Sequence, residues 1–213
     1  MKRTPEETWG IVGPVLLKKY KRTKTFLDFE NIFQLLIAVI LSAQTTDEAV
    51  NKVTAVLFKK YKTPQALARA DVRDVEKIIH SLGYYRTKAR YIVETAQILL
   101  RDFHGKVPTD EKSLRTLRGV GRKTAVVVLS NTVDANIGIP VDTHVIRFAH
   151  RFGLSRAKNP DTIETDLKRI IPKKLWKRAS YAMKEYGRKE GKALGYRKEI
   201  DPLVIALEQY ERS

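Results

Sequence analysis

The chain contains no cysteine, and this absence excludes several classes of chemistry at once. Disulfides, thiolate metal sites, thiolate ligation of an iron–sulfur cluster and cysteine nucleophiles all require a sulfur ligand that is missing here. The four histidines are His80, His104, His144 and His150, and no two are three or four residues apart, the spacing that places two imidazoles on one helix face for zinc. We therefore expect no metal centre.

Long apolar runs are also missing, and acidic residues are outnumbered by basic ones. No run approaches the about 18 apolar residues of a membrane span, and the N-terminal segment 1–7 lacks the apolar stretch of a secretory signal. Lys and Arg number 41 against 24 Asp and Glu, for a net charge of +17, while 43% of residues are hydrophobic, enough for a core. We expect a cytoplasmic, nucleoid-associated protein, no membrane contact, and a polyanionic partner.

One segment is especially basic: residues 168–198 contain twelve Lys or Arg and two acids. Such a run is usually a solvated helix face, and a solvated basic face is also what a phosphate backbone binds. Both interpretations agree with a nucleic-acid partner.

Hydrophobic residues recur every three and four positions, which predicts an all-α fold. Phe33, Leu36, Ile37 and Ile40 show the pattern in a central helix. Helix starts are predicted where a capping residue precedes proline, at 63–64, 159–160 and 201–202. The run 126–129, three β-branched valines followed by leucine, favours a strand by propensity, but we predict a buried helix because it follows a turn and no alternating segment lies nearby. The loop 131–140 is the most plausible seam between two lobes.

The segment 114–125 predicts a short helix, a tight Gly119-Val120-Gly121 hairpin and a second helix. Glycines permit a sharp turn with positive φ and expose backbone N–H groups to an oxyanion, so a nucleic-acid phosphate would fit. A phosphate-loop NTPase is excluded because Arg122 intervenes between Gly121 and Lys123. A dinucleotide-binding site is excluded because no strand precedes the turn and the third glycine is missing.

Asp142 follows Lys123 by nineteen residues and precedes another predicted helix. Two interpretations of Asp142 remain open on the residues alone: a helix cap, or a carboxylate that meets the Lys123 amine between lobes. Lys123 is either a solvated phosphate contact or a nucleophile whose pKa is lowered by burial beside Arg118 and Arg122.

The chain contains the segments Leu117-Arg118-Gly119-Val120-Gly121-Arg122-Lys123-Thr124-Ala125 and Val141-Asp142-Thr143-His144-Val145-Ile146-Arg147, together with Ser42-Ala43-Gln44 and Gly187-Arg188. These four segments resemble those of the helix-hairpin-helix DNA glycosylases, most closely endonuclease III. The resemblance spans about residues 30 to 190. It implies two all-α lobes with a DNA-binding cleft between them: a six-helix lobe of residues 24–135 that contains the hairpin, and a second lobe built from 1–23 and 136–213. It further implies that Lys123 is the nucleophile and Asp142 the assisting carboxylate.

The resemblance and the basic tail together predict a set of DNA-binding residues. Gln44 matches the family's amide that fills the space left by a flipped base, and Tyr84 stands where the family carries an aliphatic wedge. The full set is Gln44, Tyr84, Arg118, Gly119, Val120, Gly121, Arg122, Thr143, His144, Lys192, Arg197 and Lys198.

Two features depart from the family pattern. Position 118 is Arg where the family usually has Pro. The family's iron–sulfur cysteines would fall at Gly191, Lys198, Asp201 and Leu207, so we expect no cluster, and we expect packing of Leu203, Val204 and Leu207 to fasten the tail.

The implied activity is excision of oxidised pyrimidines from double-stranded DNA by base flipping, followed by strand cleavage at the abasic site through a lysine Schiff base, performed by a monomer. One alternative is a glycosylase that removes thymine or uracil opposite guanine. The other is a non-catalytic helix-hairpin-helix protein that only binds DNA.

Overall fold

All regular secondary structure in the described residues is helical. The structure, a computed structural model, describes residues 3–132, 136–190 and 196–212, and no β-strand occurs in those ranges. The all-α prediction is therefore confirmed. None of the described helices combines the length and the hydropathy needed to span a membrane.

The chain divides into two compact units, one formed by residues 25–134 and the other by residues 1–24 with 135–213. Within its described residues the 25–134 unit has seven helices where the sequence predicted six, and two of the seven, α4 and α7, are only five and four residues long. They are α2 (Ile32–Leu41), α3 (Asp47–Lys60), α4 (Pro64–Ala68), α5 (Val72–Ile79), α6 (Tyr85–Phe103), α7 (Glu111–Leu114) and α8 (Arg122–Thr132).

The other unit joins the two ends of the chain. Its helices are α1 (Pro5–Lys19), α9 (Thr143–Arg151), α10 (Pro160–Ile170), α11 (Trp176–Lys189) and α12 (Pro202–Arg212), and the first of these packs against α11 and α12. Leu203 and Val204 lie in its core and Leu207 packs against that core, as the sequence predicted for the tail.

Helix α2 forms the centre of the 25–134 unit, with every residue from Phe33 to Leu41 buried. Helix α8 packs against α2 and contains the β-branched run 126–129. The predicted helix is therefore confirmed for this run, since burial against α2 outweighs a modest intrinsic preference for strand.

Side-chain caps begin several helices where the sequence predicted them. The side chains of Thr63 and Asn159 accept backbone N–H bonds at the starts of α4 and α10, and each is followed by proline. Asp201 accepts from the Leu203 N–H at 2.9 Å before Pro202 begins α12. These caps are local, which is why the sequence alone identified them.

Candidate active site

The hairpin between α7 and α8 is built against α6 and α2. Gly119 has φ +74°, and a Cβ there would lie 2.9 Å from Cδ2 of Tyr91 and 3.2 Å from Cγ2 of Ile40. The Thr95 hydroxyl donates to the Arg118 carbonyl at 3.2 Å and holds the turn onto α6. Position 119 therefore requires glycine for both its backbone conformation and its space.

The second glycine of the hairpin behaves differently. Gly121 does not have a positive φ, and nothing lies within 4 Å of a Cβ built there. Gly121 is exposed and directly precedes α8, so its backbone is open at a helix N-terminus. The side chain of Val120 is buried, and its N–H donates to the Leu117 carbonyl at 3.3 Å, which closes the turn.

Lys123 lies in the first turn of α8 and is exposed. The guanidinium of Arg122 donates to both carboxylate oxygens of Glu111 at 2.8 Å, and Nε of Arg118 lies 3.1 Å from a Glu94 oxygen. Of the two alternatives for Lys123, its exposure agrees with a solvated amine and not with an amine buried beside Arg118 and Arg122. Each arginine found a glutamate from another helix, a pairing that local sequence does not encode.

Asp142 belongs to the other unit and caps α9. Its Oδ1 accepts from the N–H groups of His144 at 2.9 Å and Val145 at 3.0 Å. Within the described chain its second oxygen, Oδ2, accepts no protein hydrogen bond, and the neighbouring Thr143 is exposed. The cap thus holds the carboxylate rigidly and leaves one oxygen for another partner.

His144 is half-buried between α9 and α11. Its Nδ1 accepts from Nη2 of Arg147 at 3.1 Å, so the proton of the neutral ring is on Nε2. Burial lowers the pKa of His144, and the nearby Asp142 carboxylate only partly opposes this effect. The ring is therefore neutral near pH 7 and presents an N–H donor.

Gln44 and Tyr84 share an unusual backbone conformation in the 25–134 unit. Gln44 has φ +52° and Tyr84 has φ +60°, both in the left-handed region that non-glycine residues rarely occupy. Both side chains are exposed, and Tyr84 is 68% exposed. Left-handed non-glycine residues persist only where their surroundings enforce them, and they concentrate at functional sites.

Sequence reasoning missed Lys88 of α6, which is 4% exposed and donates from Nζ to the Thr45 hydroxyl at 2.6 Å. A signal was present, because Lys88 lies four residues before Ile92, on the buried face that continues through Thr95 and Leu99. Lysine is almost never fully buried unless its charge is paired, so a lysine in a buried row indicates a specific interaction.

A buried polar cluster anchors the segment before α12. The Asp201 carboxylate, 1% exposed, accepts hydrogen bonds from the hydroxyls of Tyr186 and Tyr196 as well as from Leu203 N–H. Arg151 donates to the Tyr186 hydroxyl at 2.9 Å, and its guanidinium lies 3.6 Å from the Tyr196 ring centroid. We call Asp201, Tyr186, Tyr196 and Arg151 the Asp201 cluster.

These residues do not fit an iron–sulfur cluster. Such a cluster needs thiolate ligands, and the chain has no cysteine. The carboxylate of Asp201 already accepts hydrogen bonds from two tyrosine hydroxyls and caps α12. In the described ranges no three His, Cys, Asp or Glu side chains form a group able to hold a metal. Arg197 and Lys198 are exposed, with Lys198 3.6 Å from Glu208, whereas Lys192 and Gly191 lie outside the described residues.

Comparison with known proteins agrees with the arrangement of the hairpin. Residues 37–173 match the family described as HhH-GPD superfamily base excision DNA repair protein. Endonuclease III of Synechocystis sp. is 44% identical over 174 residues, covering 82% of this chain and 80% of the relative. Endonuclease III of Escherichia coli K12 is 45% identical over 148 residues, 70% of each chain.

Among solved structures, a trapped endonuclease III–DNA covalent intermediate, an estranged-adenine complex, superposes with a TM-score of 0.90 at 38% identity and covers 99% of both chains. The similarity thus includes the hairpin, both compact units and nearly the whole length. The chain belongs to the endonuclease III family within the HhH-GPD superfamily of base excision DNA repair proteins.

Proposed function

We propose that this protein is a DNA glycosylase with abasic-site lyase activity, which removes oxidised pyrimidines from double-stranded DNA. Membership of the endonuclease III family supports the reaction class. The observation that carries the proposal is the exposed amine of Lys123, directly after the hairpin that the family's motif predicts.

Lys123 is the proposed nucleophile. Its nitrogen bonds to C1′ of the deoxyribose as the bond from C1′ to the base breaks, and the base leaves with the electron pair and takes up a proton. Ring opening gives a Schiff base, which makes a 2′ proton acidic. Loss of that proton breaks the C3′–O bond, so the strand is cut 3′ to the lesion, and hydrolysis then frees the lysine.

Asp142 is the proposed assisting carboxylate. Positive charge builds on the sugar as the base departs, and a fixed carboxylate stabilises it without reorganisation. Its Oδ1 is occupied by the helix cap, so we assign the catalytic contact to Oδ2. Because Lys123 is exposed and not buried among cations, we also assign to Asp142 the uptake of the proton that the amine must lose.

Extrusion of a nucleotide costs a few kcal/mol of stacking and pairing, and side chains must fill the gap. We assign this role to Gln44, whose amide can hydrogen-bond the unpaired partner base, and to Tyr84, whose exposed ring can stack on bases. Their exposed, left-handed positions support the assignment.

Binding to the DNA backbone is assigned to the hairpin and the basic surface. The backbone of Gly119, Val120 and Gly121 and the N-terminus of α8 suit a phosphate. Arg118, Arg122, Thr143, His144, Lys192, Arg197 and Lys198 complete the proposed contacts, and the net charge of +17 supports them. We further propose that the protein acts as a monomer, without an iron–sulfur cluster, at the nucleoid in the cytoplasm.

Borohydride trapping on abasic-site DNA tests the nucleophile. Lys123→Ala should abolish the covalent adduct, whereas Lys112→Ala, which removes an exposed lysine from the neighbouring helix α7, should leave it intact. An adduct of undiminished yield with Lys123→Ala would overturn the assignment.

A matched variant tests the carboxylate. Asp142→Asn keeps an Oδ1 acceptor for the cap and removes the charge, so the melting temperature should hold while the excision rate falls by about 10²–10³-fold. Unchanged excision would remove Asp142 from the mechanism.

A substrate panel separates the alternatives. Thymine glycol and dihydrouracil should be excised in preference to thymine or uracil opposite guanine. The reverse order would identify a mismatch glycosylase, and salt-sensitive binding without excision or trapping on any substrate would identify a non-catalytic DNA-binding protein.

A further inference from the structure

Lys88 is a buried cation with a neutral partner. Its amine donates to the Thr45 hydroxyl at 2.6 Å, and burial lowers its pKa. Desolvation of an ammonium is unfavourable unless hydrogen bonds or an opposite charge compensate for it. A methionine of similar length would avoid that cost, so stability alone does not account for lysine at this position.

The side chain of Lys88 reaches the turn that carries Gln44. The Thr45 hydroxyl, which accepts from Lys88, donates to the Ala43 carbonyl at 3.2 Å, and the Thr45 N–H donates to the Ser42 carbonyl at 3.1 Å. Gln44, with φ +52°, lies in the chain between Thr45 and the two residues, Ser42 and Ala43, whose carbonyls accept these hydrogen bonds. The amine of Lys88 thus orients the hydroxyl that closes the turn around Gln44.

The main chain of Lys88 reaches the other strained residue. Its N–H donates to the Tyr84 carbonyl at 3.0 Å, and Tyr84, which immediately precedes α6, has φ +60° and no side-chain cap. A single residue therefore bonds to the corner that presents Tyr84 and to the turn that presents Gln44. Left-handed conformations are unfavourable for residues that carry a side chain and persist only under such external restraint.

We propose that Lys88 is a positioning residue that holds Gln44 and Tyr84 at a fixed separation, so that both side chains enter the DNA together when a base is flipped. This inference rests on the proposed function, which assigns base filling to these two residues. Lys88 is buried and acts through its bonds to Thr45 and to the residue before α6.

Single-turnover excision tests the proposal, with Lys88→Met and Thr45→Val removing the two ends of the hydrogen bond. On duplex DNA with an oxidised pyrimidine, each variant should be slowed about tenfold, through the rate constant at saturating enzyme. Cleavage of an abasic site in single-stranded DNA needs no base flipping and should stay within about twofold of the unsubstituted protein. The double variant should be no slower than the slower single one, because both changes remove one interaction.

Controls separate positioning from folding and charge. Lys52→Met removes an exposed lysine of α3 in the same unit and should leave the rates on both the duplex and the single-stranded substrate unchanged. Lys88→Arg keeps a donor and should recover part of the duplex rate. Equal losses on duplex and single-stranded substrates would show a merely structural role, and unchanged duplex excision would overturn the proposal.

A binding measurement separates this inference from the proposed function. A 2-aminopurine opposite a reduced abasic site reports by fluorescence whether the partner base is unstacked, and it requires no catalysis. Lys88→Met should lose about half or more of the unsubstituted protein's signal at saturation. If the unsubstituted protein traps no DNA but changes this fluorescence in a Lys88-dependent way, the proposed function fails and the positioning role stands. If neither the unsubstituted protein nor Lys88→Met changes the signal, the positioning role fails.

Discussion

A Cβ placed at Gly187 would come within 2.6 Å of Nδ1 of His144, so helix α11 can pass α9 only because position 187 has no side chain. The contact presses the His144 ring against a backbone and fixes its direction. His144, two residues after the proposed catalytic Asp142, is therefore positioned by a glycine 43 positions later in the chain.

Gly187→Ala should lower the free energy of unfolding by about 1–3 kcal/mol, because the methyl group must displace His144 or part the two helices. Urea denaturation measures this. Gly10→Ala is the matched control: Gly10 is an exposed helical glycine with nothing within 4 Å, and alanine there should be neutral or stabilising by up to about 1 kcal/mol. Equal effects of the two substitutions would contradict the packing argument.

Stability should fall as the pH drops below about 6.5. Burial lowers the pKa of His144 in the folded chain, so the unfolded chain takes up a proton at a higher pH than the folded chain does. The stability that the neutral His144 ring provides is fully present above the pKa of histidine in the unfolded chain, and it is lost as the pH falls toward the lower pKa of His144 in the folded chain. Urea midpoints at pH 7.5 and 5.5 should differ less in His144→Gln than in the unsubstituted protein, and an identical difference would refute the assignment.

The two hairpin glycines should respond differently to alanine. Gly119→Ala forces a positive φ on a residue with a side chain and meets Tyr91 at 2.9 Å, so it should lower both the melting temperature and DNA affinity. Gly121→Ala has room, so its melting temperature should hold while its methyl group weakens phosphate binding. Thermal melts and fluorescence anisotropy with duplex DNA separate the two effects. If Gly121→Ala bound DNA normally, this backbone would not be a phosphate contact.

Asp201→Asn should destabilise the 1–24 and 135–213 unit by about 1–3 kcal/mol, because two tyrosine hydroxyls lose a charged acceptor inside the core. Chemical denaturation measures the loss. Asp161→Asn, at an exposed site in the first turn of α10, is the control and should change little.

The Asp201 cluster should also make the fold sensitive to alkali. Burial and the hydrogen bond to Asp201 raise the pKa of Tyr196 to about 12, so the folded chain keeps the phenol proton where the unfolded chain, with an ordinary value of 10.0, loses it. Stability is therefore full below pH 10 and falls as the pH rises beyond it. Melting temperatures between pH 9 and pH 11 should fall less steeply in Tyr196→Phe, and parallel curves would contradict this cause.

The sequence predicted what depends on neighbours along the chain. Helix periodicity and the caps at Thr63, Asn159 and Asp201 are local, and the structure confirms them. The Asp142 cap is also local, and the structure contains it. A helix cap and a catalytic carboxylate are compatible roles, so the cap leaves the catalytic role of Asp142 a prediction.

Long-range pairs were beyond sequence reasoning. The partners of Arg122 and Arg118 are glutamates from other helices, and the Thr45 hydroxyl that binds Lys88 is 43 residues away. Spacing rules carry no information about such contacts, since they arise only when helices pack. The roles of Lys123 and Asp142 stay predictions, because both residues act on the deoxyribose of bound DNA.

The Asp201 cluster has a consequence for the solution conditions that disturb the segment before α12. Its two phenols, its guanidinium and its carboxylate are held together by hydrogen bonds and a cation–π contact. The attachment of this segment therefore depends on the protonation state of these groups, so pH is the solution variable expected to loosen it first.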